Sequence, residues 1–61
     1  MPVVTIQLLS GRSKDQKTKI AKAVTDALVD IAGARPQGVQ VIFDDVEKDD
    51  WANAGVLMSD K

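Results

Sequence analysis

A mixed α+β fold is predicted, a single β-α-β unit with parallel strands and a short C-terminal hairpin-like tail. Three stretches predict it: a run of β-branched residues from Val3 to Leu9, an uninterrupted helical stretch from Lys14 to Ala32, and a second apolar run from Val39 to Asp45. Strand, helix and strand in so short a span imply a parallel pair joined by a right-handed crossover. With 61 residues, the chain is expected to form one domain, 1–61.

In the first strand, Val4, Ile6 and Leu8 form an apolar face, while Val3, Thr5, Gln7 and Leu9 form a mixed one. Both faces therefore need cover. Ser10-Gly11-Arg12 breaks the pattern as a loop. Ser13 then opens the helix, because its hydroxyl can accept an early backbone N–H and Gln16 completes a capping box. Ile20, Val24, Ala27, Leu28 and Ile31 recur at helical spacing, and Ala23 widens the stripe. Gly33 ends the helix and Pro36 prevents it from continuing. The lysines near its start, with Asp26 and Asp30 near its end, oppose the macrodipole, so tertiary packing must hold it. The second strand places Val39, Val41 and Phe43 on one face. From Trp51 to Met58 a turn and a hairpin-like or extended segment follow, expected to dock on a neighbouring chain.

A domain of this size buries only about 60% of the surface its unfolded chain exposes. The common remedies are disulfides, a metal or self-association. The sequence has no Cys and no His, yet 44% of it is hydrophobic, which excludes a disordered chain. A homo-oligomer is therefore expected. The lack of cysteine fits a cytoplasmic location, no secretory leader is visible, and no apolar run could span a membrane. A formal net charge of −1 predicts no nucleic-acid partner. The acidic segment from Asp44 to Asp50 lacks the spacing of a calcium loop and reads as a solvated turn, so neither a metal nor another cofactor is expected.

Without Cys or His, no Ser/His/Asp or Cys/His arrangement can be assembled. The four glycines are too scattered to cradle a phosphate. One group remains. Pro2 follows Met1 and is small enough to permit removal of the methionine, which would expose a secondary amine at the head of a strand. An α-amino group titrates near pH ~7.7–8.0. An apolar pocket or a neighbouring cation lowers that value further, as a general base at neutral pH requires. On the dipeptide alone, Pro2 is far more readily an ordinary second residue.

Pro2 at the head of a β-strand, Gly11-Arg12-Ser13 followed by Gln16-Lys17, the stretch Val39 to Ile42 and the aromatic at Trp51 together resemble the 4-oxalocrotonate tautomerase family. The resemblance covers essentially the whole chain. It implies a β-α-β subunit in a hexamer, a trimer of dimers, that moves a proton within an enol or dienol 2-oxo acid. Pro2 matches the catalytic proline, Arg12 the arginine that binds a substrate carboxylate across a subunit boundary, and Trp51 an aromatic pocket wall. The family has a second arginine where this chain has Gln40, whose amide donates a hydrogen bond but brings no charge. Arg35, in the preceding loop, is a candidate replacement, with a solvent-facing arginine as the plainer reading. Hydration or dehalogenation of unsaturated acids, as in related superfamily members, calls for an acidic residue near the proline, and no matched position supplies one. A non-enzymatic homo-oligomeric binding or assembly module is the remaining alternative.

Overall fold

The computed structural model describes residues 2–61, so the expected removal of Met1 lies outside the described residues. Strand β1 (Val3–Leu9) is followed by helix α1 (Lys14–Ala32), a 3-10 turn at Pro36–Gly38, strand β2 (Gln40–Val46) and a second 3-10 turn at Lys48–Asp50. A two-residue-per-strand hairpin, β3 (Ala52–Asn53) and β4 (Val56–Leu57), leads to a last 3-10 turn at Met58–Asp60. β1 and β2 pair in parallel, with Val3 opposite Gln40, Ile6 opposite Phe43 and Leu9 opposite Val46. This is the predicted β-α-β unit with its hairpin tail.

The predicted second strand, Val39 to Asp45, is displaced by one residue. The Val39 N–H is spent on the Pro36 carbonyl (3.2 Å), closing the 3-10 turn, so pairing starts at Gln40. At the other end the Val46 carbonyl accepts the Ser10 N–H (2.9 Å), which carries the ladder one residue further.

The helix forms where its caps dictate. Ser13 accepts the Gln16 N–H (3.1 Å) and the Gln16 side chain accepts the Ser13 N–H (2.9 Å), completing the capping box. Gly33 closes the other end at φ 72°, a left-handed conformation that glycine adopts without steric cost. The helix packs chiefly on β2 and on the 3-10 turn that precedes it. Lys17 anchors it by an ion pair to Asp45 (2.5 Å), its ammonium 5.9 Å from the centre of the Phe43 ring. On the exposed side, Asp15–Lys19 and Lys22–Asp26 pair at i,i+4. The Asp26 hydrogen bond and charge hold the Lys22 ammonium above the ordinary lysine range.

The inward face of the helix differs from the predicted stripe. Lys17, Ile20, Ala21, Val24, Thr25, Leu28 and Val29 are half-buried, while Ala23, Ala27 and Ile31 are exposed. Ile31 shares the inward azimuth of Val24 and Leu28, yet it is 86% exposed. The cause is length. Nineteen helical residues span about 28 Å, whereas seven strand residues span about 23 Å, so the last turn overhangs the sheet. Ala23 and Ala27 lie on one flank, and the contact with β2 is taken by the opposite flank.

No described residue is fully buried. Val4, Ile6, Val41 and Phe43 are half-buried on the helix side of the sheet, while Val3, Thr5, Gln40 and Ile42 are exposed on the other. The radius of gyration is 14.4 Å, against about 10.5 Å for a compact chain of this length. The accessible surface is 4580 Å², against about 3900 Å² for a folded monomer of this mass. The sheet also has two unpaired edges, since it contains only β1 and β2. Among the described residues, no helix is long and apolar enough to cross a membrane.

Candidate active site

Pro2 sits at the head of β1 and is half-buried. Its carbonyl accepts the Gln40 N–H (2.9 Å), which ties the start of one strand to the start of the other. Beside it opens a cleft of about 370 Å³, lined by Pro2, Ala34, Arg35, Gln37 and Gly38. The wall opposite Pro2 therefore comes from the turn between α1 and β2. That turn is held by Pro36 in its first position and by the Gly38 N–H, which donates to the Arg35 carbonyl (2.9 Å). The lining residues combine two apolar side chains, Pro2 and Ala34, with two exposed polar ones, Arg35 and Gln37.

The residues marked by sequence fall into two groups at opposite ends of the sheet. Pro2 and Gln40 lie together at the heads of the strands. Gln40 shares the exposed sheet face with Val3 and Ile42 and does not line the cleft. Arg12 follows the far end of β1, and Trp51 follows the far end of β2 through the Lys48–Asp50 turn. Arg12 is exposed; Trp51 is half-buried, and its carbonyl accepts the Met58 N–H (2.7 Å) at the base of the hairpin. The length of β1, more than ~20 Å, separates Pro2 from Arg12 within one chain. No side chain bridges that gap.

Arg35 is solvent-exposed, as the plainer reading of a loop arginine expects, and also lines the cleft with Pro2. Ala34, Gln37 and Gly38 were not marked by the sequence reading. A Pro at 36 with a Gly two residues on is a turn signal, but nothing local says that this turn folds back beside Pro2. Among the described residues, no group of three or more acidic side chains is arranged to hold a metal ion.

The family model described as tautomerase enzyme matches residues 2–61. A 2-hydroxymuconate tautomerase of Comamonas testosteroni is 45% identical over 56 residues, covering 92% of this chain and 89% of that protein. Among solved structures, YwhB, a homologue of 4-oxalocrotonate tautomerase, superposes with a TM-score of 0.94 at 35% identity, covering 98% of each chain. A heterohexamer 4-oxalocrotonate tautomerase from Chloroflexus aurantiacus superposes with a TM-score of 0.90 at 29% identity, covering 97% of this chain and 95% of that one. These likenesses make the chain an enzyme, an isomerase with tautomerase activity, in place of the non-enzymatic module that the residues alone left open. It belongs to the 4-oxalocrotonate tautomerase family of the tautomerase superfamily.

Proposed function

We propose that the protein is a cofactor-independent tautomerase of enol or dienol 2-oxo acids, with the Pro2 amine, freed of Met1, as its general base. The observation that carries this reading is the cleft at the head of β1, which Pro2 lines together with Ala34 and Arg35. An apolar or cationic neighbour disfavours the protonated form of an amine, which is what a general base at this position requires. The amine takes the proton from the enol hydroxyl as the carbonyl forms, and the shifted electron pair receives the same proton at carbon. The O–H bond is lost, a C–H bond is made, and the amine returns to its starting state.

The site is composite in this reading. Arg12 and Trp51 lie too far from Pro2 of their own chain, so they act from other copies: Arg12 holds the substrate carboxylate and Trp51 forms an apolar wall. Gln40, beside Pro2, offers a neutral hydrogen bond at most. The absence of any fully buried residue among those described, the excess surface and the open sheet edges support a homo-oligomer. The Chloroflexus relative, a heterohexamer, supports the hexameric form of it. The cysteine-free composition supports a cytoplasmic setting.

Replacing Pro2 tests the base. The Pro2→Ala variant is expected to ketonise phenylenolpyruvate about 100-fold or more slowly than processed parent protein, and the limb of the parent pH–rate profile that reports the amine should disappear. An unchanged rate would sink the proposal.

A further inference from the structure

We propose that Arg35 is a specificity-determining residue that binds the second carboxylate of a dicarboxylate enol acid; this rests on Pro2 acting as the base in the same cleft. Arg35 lies in the cleft wall with Pro2, on the same chain. It makes no ion pair among the described residues, although Lys17, Lys19 and Lys22 each have a carboxylate partner. Its backbone is extended at φ −82° and ψ 134°, the region to which a following proline restricts a residue. Its carbonyl is held by the Gly38 N–H, which pins the base of the side chain. The guanidinium is thus a cation on a fixed root, aimed at no partner of its own.

The rest of the lining narrows the ligand. A cleft of about 370 Å³ is at the small end of the range for small-molecule sites and suits an acid of a few carbons. Ala34 and Pro2 supply apolar surface for its carbon chain, and among the described residues Gln37 supplies the other polar side chain. A carboxylate matches the guanidinium fork bidentately, whereas an aromatic or alkyl end offers the cation no partner. Gln40 carries no charge and faces the open side of the sheet, so it cannot serve this end of the ligand. With Arg12 of another copy on the first carboxylate, Arg35 takes the second.

Kinetics on two substrates test the assignment, using 2-hydroxymuconate as the dicarboxylate and phenylenolpyruvate as the monocarboxylate. In Arg35→Gln the ratio of kcat/KM for the two is expected to fall by about 10–100-fold, the loss of one charge-assisted contact, chiefly through KM for the dicarboxylate. Arg35→Lys should restore part of the ratio. A ratio unchanged in Arg35→Gln would overturn the proposal. Inhibition of the parent protein needs no variant to fold: adipate should inhibit at least ~10-fold more tightly than hexanoate, and equal inhibition would overturn the proposal too. Retention of both rates in Pro2→Ala would remove the underlying reading, whereas a Pro2-dependent enzyme with an unchanged ratio in Arg35→Gln would remove only the role of Arg35.

Discussion

Ala54 holds a backbone conformation, φ 53°, that costs a residue with a side chain about 1 kcal/mol or more. With Gly55 at φ 82°, it forms the two-residue turn between Asn53 and Val56, and a hairpin turn of type I′ requires positive φ at both positions. A Cβ at Gly55 would meet nothing within 4 Å. Ala54→Gly is therefore expected to raise the thermal unfolding midpoint by about 2–5 °C with activity unchanged, as followed by circular dichroism. A lowered midpoint would mean that the hairpin is held by something other than its turn. The turn was legible only as a region, because Ala54 is not a residue that announces positive φ. Gln40 and Arg35 make a similar contrast. Strand alternation puts Gln40 on the open face, and the fold-back of the Pro36–Gly38 turn puts Arg35 beside Pro2; neither follows from residue type.

At the scale of elements, the helix was the most legible part of the chain because its limits rest on local chemistry. Ser13, Gln16, Gly33 and Pro36 mark its ends, and the caps form as those residues dictate. Removing the cap by Ser13→Ala is expected to cost about 1 kcal/mol, measured by chemical denaturation. A cost near zero would show that packing on β2 alone fixes the helix start. The parallel pairing was legible too, since so short a chain leaves few ways to return. The inward face of the helix was not. Periodicity identifies an azimuth, but burial also depends on whether a sheet lies beneath, and Ile31 extends past the end of it. The one-residue shift of β2 has the same character: the Val39 N–H had a choice of acceptors, and the 3-10 turn took it.

For the whole molecule, the governing fact is that Pro2 and Arg12 lie at opposite ends of the sheet. If the site is shared between copies, two inactive variants can complement each other. Pro2→Ala and Arg12→Ala proteins, unfolded together and refolded as mixed oligomers, should recover activity in about a quarter of their sites by random assortment. Activity no greater than the sum of the separately refolded variants would show that no site draws on two chains. The sequence made the need for partners legible through size and composition, and the resemblance marked Arg12; the separation of Pro2 from Arg12 became visible only with β1 laid out between them. That strand is in effect a ruler. Its seven residues set the spacing between Pro2 and Arg12, so one inserted residue would lengthen the interval by ~3.3 Å and turn the following side chains to the opposite face. The turn at Ala54–Gly55 can vary in length at little cost, but the stretch from Val3 to Leu9 has no such freedom.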